Sequence, residues 1–342
     1  MQGYTFSEIS RKWLENAVIG VSFSWDEELK SIVGHLNKAL GKKKIDDIKA
    51  SDIEFLIKTL SVKNPNTNKP SSKRFLKCIS NVSNSIFDFA IDNKYASGNP
   101  ACKSARKIPK SAPTKIVDAV NDKQKNLIIE YEHSTKIAAI IMMFMGLRTG
   151  ELLALEWKDI DFDEKVVHIN KKCSRCSSNQ FIVKQGTKNG KNRTVPIPSL
   201  IADWLEEKLL DSTNSLIIPN KSGCLHTPTT WRRTWESYQC DLNYYAYVRR
   251  CKTKGITPKN KFAPTGIPDM GIKFNAHQLR HTYATMLYLS EVDVLTAKEL
   301  LGHCDIKTTL GIYTHLEEKY KKLNIIKFDQ YIQSELLNAA SL

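Results

Sequence analysis

Residues 299–316 read ELLGHCDIKTTLGIYTHL, and the fold turns on how this stretch divides. Gly302 is placed to stop one helix, because glycine enters the left-handed region without steric cost, and Asp305 or Thr308 is placed to start the next. His303 stands between stop and start, and Tyr313 falls near the middle of the second helix. Gly311, two residues earlier, weakens that helix locally. Upstream, AHQLRHTYAT (276–285) sets His277 and Arg280 three residues apart, on one face of a helix. Such a face offers two donors to one phosphate; the plainer alternative is a structural imidazole beside a surface arginine. In TKNGKNRTVPIP (187–198), Lys188 comes just before an Asn189-Gly190 turn. In GLRTGELLALEW (146–157), Arg148 follows an apolar helix and precedes a Gly-Glu pair.

The intervening sequence supplies a mixed scaffold. A buried helix is expected from Thr135 to Leu147, with short strands at Val166–Asn170, Phe181–Gln185 and Arg193–Ile197. The last two would form a hairpin, since Asn-Gly favours the positive φ of a tight turn. Residues 249–261, RRCKTKGITPKNK, carry six cations and no acid, and read as a basic loop suited to phosphate contact or to plain solvation. The first hundred residues differ. Thr5 with Glu8, Ser24 with Glu27 and Ser51 with Glu54 have capping-box spacing, and a fourth helix fits Ser72 to Asp92. Apolar residues follow at helical intervals, which predicts a small all-helical bundle. KIPKSAPTK (107–115) has two prolines, three lysines and little apolar content, so the domain boundary is expected there.

Composition limits what this scaffold does. The 342 residues are 41% hydrophobic and 25% charged, ordinary for globular domains and long enough for two. Lys and Arg number 51 against 36 Asp and Glu, a net +15. Both parts are basic, with 20 cations to 11 anions in residues 1–115 and 31 to 25 in 116–342. A polyanionic partner follows, either nucleic acid or an anionic membrane surface. The longest apolar run, Ile137 to Leu147, is far short of the roughly 20 residues that span a bilayer. The start, MQGYTFSEISRKWLENA, lacks the apolar core of a secretory signal, so a soluble cytoplasmic protein is expected, with no membrane partner. The eight cysteines then read as reduced thiols. Cys173 and Cys176 alone have metal-like spacing; zinc there would need Cys224 or a histidine to complete the shell, and a β-turn with two free thiols is the simpler alternative. No Walker loop and no two-metal carboxylate cluster is present in the sequence.

Taken together, Gly146-Leu147-Arg148-Thr149-Gly150-Glu151, Lys188 with Arg193-Thr194-Val195-Pro196, His277-Gln278-Leu279-Arg280, Leu301-Gly302-His303 and Ile312-Tyr313-Thr314-His315 resemble the tyrosine recombinase (phage integrase) family, of the mobile-element integrase type. Order and spacing match as well as residue type, over nearly the whole chain. The resemblance implies a mainly α protein of two domains. Residues 1–106 would be a helical, SAM-like core-binding domain, 107–117 a linker, and 118–342 a mixed α+β catalytic domain with a small three-stranded antiparallel sheet and a tail from about 324.

The implied activity is site-specific DNA recombination through a 3′-phosphotyrosine. Tyr313 is the implied nucleophile, Arg148, Arg280 and His303 hold the phosphate, His277 assists proton removal, and Lys188 protonates the departing 5′ oxygen. Lys191 competes for that last role, but the family's spacing to Arg193 favours Lys188. The chemistry needs such a set, because attack on a phosphodiester adds negative charge that fixed cations must meet, and the planar guanidinium fork matches two phosphate oxygens. The broken strand's energy is stored in the phosphotyrosine bond, so no cofactor is expected, neither ATP nor metal. Glu151 matches the family position that supports the first arginine. The implied partners are double-stranded DNA at attachment sites, a homotetramer in the synaptic complex and accessory DNA-bending factors, in a bacterial host. The apolar tail (KLNIIKFDQYIQSELLNAASL) docks in cis or on a neighbouring protomer. Many mobile-element integrases carry an additional small DNA-binding domain before the core-binding one, and with the first capping box at Thr5 either this protein acts at simple sites or the sequence starts inside a longer chain. Two other functions share these residues: topoisomerase-like cleavage and religation without partner exchange, and a DNA-binding accessory protein that no longer cleaves.

Overall fold

The computed structural model describes residues 3–113, 118–186, 192–263 and 265–314, and beyond these residues 316, 320, 325–326, 328–329 and 332–333. The chain divides into two compact units, Met1–Ile116 and Val117–Leu342.

The first unit is helical: α1 (Phe6–Ala17), α2 (Phe23–Leu40), α3 (Ala50–Val62) and α4 (Lys73–Asp92). Thr5 caps α1 as its spacing predicts, with its hydroxyl accepting from the Glu8 amide and the Glu8 carboxylate accepting from the Thr5 amide at 2.8 Å. Ser72 caps α4 through the Phe75 amide. The other two starts differ from expectation by two residues. Ser22, not Ser24, caps α2, and Asp52 reaches back to the Lys49 amide where Ser51 and Glu54 were the expected pair. Both starts are set by local caps, and Leu29, Ile32 and Leu36 of α2 and Ile53, Ile57 and Leu60 of α3 join one core with Phe6, Ile9, Leu76, Ile79, Ile86 and Phe87. Burying each such side chain contributes about 1.5–3 kcal/mol, more than a cap does. Residues 107–113 lie with this unit: Ala112 is 7% exposed, and the Pro113 carbonyl accepts from the Lys73 amide at 2.9 Å.

The second unit mixes helices with two small antiparallel sheets. It begins with α5 (Asp122–Glu130), the buried α6 (Lys136–Phe144) and the short α7 (Thr149–Leu153). The strands are β1 (Ile160–Asp161), β2 (Val166–Ile169), β3 (Lys171–Arg175), β4 (Phe181–Gln185) and β5 (Arg193–Pro196). Helices α8 (Ser199–Leu210), α9 (Pro228–Thr253), α10 (Ala276–Leu289), α11 (Val294–Leu301) and α12, described over 306–314, follow. Ala138, Ala139, Ile141, Met142 and Met143 of α6 are fully buried against α10 and the rest of the core, which is why this helix reads apolar all round. Among the described residues no helix is long and apolar enough to cross a membrane.

A three-stranded sheet is present, but its strands run in the order β1-β2-β5, and Phe181–Gln185 is not among them. That segment pairs with Lys171–Arg175 as a separate ribbon, Cys173 opposite Val183. Strand β3, KKCSR, has no apolar alternation to announce it. Lys171 instead buries its ammonium between Glu156 and Asp159, so an ion-pair cluster anchors the ribbon. The Asn189-Gly190 turn, with Lys188, lies outside the described residues. In the sheet, Val167 opposes Val195, both fully buried, and Ile169 opposes Arg193. Arg193 is two residues from Val195 and so shares its inward face. The expected basic loop at 249–261 is also shorter than its composition implied: α9 continues to Thr253, and Lys261 is tied to Asp241.

Candidate active site

Three arginines converge on the C-terminal turn of α11. Its last turn is closed by a Schellman arrangement, with Gly302 at φ +61°, the Gly302 amide donating to the Glu299 carbonyl at 2.9 Å and the His303 amide to the Lys298 carbonyl at 3.0 Å. The next three carbonyls each accept from a different arginine. Arg193 Nε donates to Leu300 at 3.0 Å, Arg280 Nη2 donates to Leu301, and Arg148 Nη2 donates to Gly302 at 2.6 Å. The helix macrodipole is negative at this end, so the carbonyls favour the cations. A side chain at residue 302 would be strained at that φ, and its Cβ would lie 2.9 Å from Arg193 Nη1.

Each arginine arrives by a different local device. Gly146, at φ +66°, turns the chain out of α6, and an added Cβ would stand 2.2 Å from the Tyr283 ring. Arg148 follows in extended conformation and caps α7, with its amide donating to Glu151 Oε2 at 2.9 Å and its Nη1 to Oε1 at 2.8 Å. Arg193 grips the same carboxylate with Nη1 at 3.0 Å and Nη2 at 2.7 Å. Arg280, 4% exposed on α10, donates through Nη1 to the Gly146 carbonyl at 2.6 Å. Glu151 is 2% exposed and accepts from four N–H groups. Burial pushes its pKa up, but the Arg193 hydrogen bonds and charge, with those of Arg148, outweigh burial and hold the carboxyl at about 2. Burial, then the Arg148 charge, lowers Arg280 to about 9, which leaves it cationic at neutral pH.

An open cavity of about 400 Å³ lies over this cluster, lined by Leu147, Arg148, Thr149, Ala276, His277, Arg280 and His303. His277 is exposed at the start of α10, one turn before Arg280. His303 is half-buried, and its Nδ1 lies 2.8 Å from the hydroxyl of Thr309 on α12. Burial, then the charges of Arg280, Arg148 and Arg193, lower His303 to about 4, so it is neutral at pH 7. The cavity thus combines two guanidinium groups, two imidazoles and an excess of positive charge, since Arg148 and Arg193 share the carboxylate of Glu151 while Arg280 is bonded to the Gly146 and Leu301 carbonyls. A tetrahedral oxyanion that gains charge during reaction fits this chemistry. A second hollow, of about 480 Å³ beside Lys123, Arg249 and Arg250, has no imidazole or tyrosine in its lining, and its Arg249 is paired with Glu130.

Of the six side chains picked from the sequence, four are brought to this cavity: Arg148, His277, Arg280 and His303. Tyr313 is not among the residues that line it. Its hydroxyl donates to the Val292 carbonyl at 3.1 Å, and its ring packs edge-on against Tyr288 at 5.2 Å. Burial, then the negative charge of Asp293, raises Tyr313 to about 12. The reason is local: the turn before α11 offers an acceptor that the tyrosine reaches from α12. Lys188 and its competitor Lys191 lie outside the described residues. Most of the tail from 324 does as well. Arg193 served only as a spacing landmark in the sequence, and Thr309 drew no notice. Arg193 was discoverable from its inward position beside Val195, whereas nothing local marks Thr309. Cys173 is buried on β3, where burial raises its thiol to about 11, and among the described residues no three His, Cys, Asp or Glu side chains group to hold a metal.

The folded states of Glu151 and His303 predict how stability depends on pH. Both groups have folded pKa values below their unfolded ones, so both stabilise the fold above the unfolded value and lose that contribution as pH falls. His303 acts from about 6.5 down to about 4, and Glu151 from about 4.5 down to about 2. For Glu151 the contribution is on the order of 3 kcal/mol. Thermal melts from pH 7 to pH 3 should show Tm falling throughout, with the upper segment flattened in His303→Gln. An upper segment unchanged by that substitution contradicts the assignment.

The model of the phage integrase family matches residues 114–319. A XerC-like tyrosine recombinase of Caldanaerobacter subterraneus subsp. tengcongensis is 28% identical over 273 residues, covering 73% of this chain and 64% of that protein. The ICEBs1 integrase of Bacillus subtilis is 25% identical over 263 residues, covering 75% and 66%. The chain therefore spans slightly less than two thirds of the length of these relatives. Among solved structures, the Tn1549 transposon integrase in complex with circular intermediate DNA superposes with a TM-score of 0.69 at 16% identity, covering 90% of this chain and 95% of that one, a likeness of fold.

Proposed function

The chain belongs to the phage integrase family, and from that premise we propose that it is a site-specific DNA recombinase of a mobile element, which cuts and rejoins strands through a covalent tyrosine intermediate. The Tyr313 oxygen attacks a backbone phosphorus, an O–P bond forms, and the P–O5′ bond breaks. The tyrosine proton passes to His277, and the departing 5′ oxygen takes a proton from Lys188. Arg148, Arg280 and His303 hold the nonbridging oxygens, where charge grows. Reversal with a 5′ hydroxyl from a second duplex religates the strand with no external energy source. The observation that carries this proposal is the cavity on which Arg148, His277, Arg280 and His303 meet. Arg193 and Glu151 brace it from beneath.

In this proposal residues 1–106 form the core-binding domain and 118–342 the catalytic domain, joined by a linker at 107–117. The substrate is double-stranded DNA at attachment sites, engaged by a homotetramer with bending factors, in the cytoplasm of a bacterial host. Phosphate contacts dominate affinity, so binding weakens steeply with salt.

The test uses a suicide duplex nicked near a candidate site, together with two differently labelled duplexes. A covalent protein–DNA adduct forms without added magnesium, and strands exchange between the labelled duplexes. Relaxation of supercoils without exchange indicates the topoisomerase-like activity instead. Binding with no adduct on any tested site indicates an accessory protein and overturns the proposal.

A further inference from the structure

Thr309 is fully buried on α12, and its hydroxyl lies 2.8 Å from His303 Nδ1. The direction of that hydrogen bond decides which nitrogen of His303 carries the proton. Among the described residues, Nδ1 is the hydrogen-bond partner of this hydroxyl. Some helical threonines here turn back to a carbonyl one turn earlier, as Thr282 does to Gln278 at 2.9 Å and Thr285 to His281 at 3.0 Å. Thr309 has no such bond among the described residues. Were Nδ1 protonated, it would donate to the Thr309 oxygen, and the hydroxyl hydrogen would be left buried without an acceptor. Leaving a buried donor unsatisfied costs about 1–3 kcal/mol. Donation from Thr309 to Nδ1 avoids that cost and leaves the ring's one proton on Nε2, the nitrogen on the far side from Thr309.

We infer that Thr309 is a positioning residue, which holds His303 in the Nε2–H tautomer so that the imidazole presents a donor, not a lone pair, to the anion cavity. The inference rests on the proposed function only for what occupies the cavity. With Nε2–H, His303 adds a neutral donor beside Arg148 and Arg280. With Nδ1–H, a lone pair would face the developing oxyanion and repel it. The geometry also explains the order of the motif: α12 follows His303 closely enough that its first turns return a hydroxyl to the ring.

The experiment has two arms, both on the full chain. The first labels the histidines with ¹⁵N and assigns His303 by the signals absent from His303→Gln. The wild type should show the proton on Nε2, Thr309→Ser should keep it there, and Thr309→Val should give a mixture or the Nδ1–H form. A wild-type Nδ1–H ring, or an unchanged ring in Thr309→Val, overturns the inference. This arm needs no DNA, and its wild-type measurement stands even where Thr309→Val folds poorly. The second arm measures adduct formation on the suicide duplex. Thr309→Val should react roughly 10-fold to 100-fold more slowly at unchanged DNA affinity, while Thr309→Ser stays within about threefold of the wild type. Undiminished cleavage by Thr309→Val also overturns the inference. If the wild type forms no adduct, the proposed function fails, and the tautomer arm alone decides the role of Thr309.

Discussion

Tyr313→Phe should form no covalent adduct under conditions where the wild type does, while DNA binding and folding stay nearly intact. Phenylalanine keeps the ring and its edge-on packing against Tyr288 but removes the oxygen that would bond to phosphorus. Among the described residues, the structural loss is the hydrogen bond to the Val292 carbonyl, worth about 0.5–1.5 kcal/mol net. Val292 is half-exposed, so water replaces the donor. Loss of chemistry without loss of stability distinguishes a nucleophile from a core residue. In the proposed reaction, the same small value would let a tyrosine held at the turn before α11 reach a cavity it does not line, since releasing one such bond is a modest cost against many phosphate contacts. A persisting adduct in Tyr313→Phe would move the nucleophile elsewhere. The first candidate would be Tyr283, which is mostly buried against Gly146 and raised to about 12 by burial despite the nearby charges of Arg193 and Arg280.

Glu151→Gln should destabilise the second unit by about 3–5 kcal/mol, the range for breaking a buried ion pair from one side. The carboxylate accepts from the Arg148 amide and from both arginine side chains. Glutamine keeps one acceptor oxygen and turns an NH₂ toward guanidinium groups that are themselves donors only. Arg148 and Arg193 then lose the anion they share, and Arg280 loses a nearby negative charge. In a unit of this size the calorimetric Tm of that unit should fall by roughly 10 °C. Cleavage should fall further than binding, since Arg148 loses the brace that aims its guanidinium. A Tm within about 2 °C of the wild type, in a unit of this size, would show that the arginines do not depend on Glu151.

Much of the site is legible in the sequence because its parts are local. Gly-Leu-Arg marks a positive-φ exit from an apolar helix, His-x-x-Arg is one helical face, and Leu-Gly-His is a helix stop followed by an imidazole that lines the cavity. The capping box at Thr5 and the helix start at Ser72 are legible for the same reason. Where expectation missed the strand pairing, a nonlocal contact had overridden a local preference. Strand β3 pairs because Lys171 is anchored between Glu156 and Asp159. Phe181–Gln185 took that strand as its partner and left Arg193–Pro196 to β2.

The order of residues along the chain was enough to set the mainly helical architecture and the residue types that a phosphate-cutting site requires, and its motifs were enough to place the family, because helix periods, caps and short motifs are all written within a few positions of one another. It took the packed chain to decide that three arginines take successive carbonyls of one helix end, that Arg193 shares Glu151 with Arg148, that Thr309 faces His303, and that Tyr313 rests on Val292. Those pairings join residues up to 154 positions apart, as Arg148 and Gly302 are. Their geometry depends on which buried polar groups remain to be satisfied once the core has closed, and no local pattern encodes that.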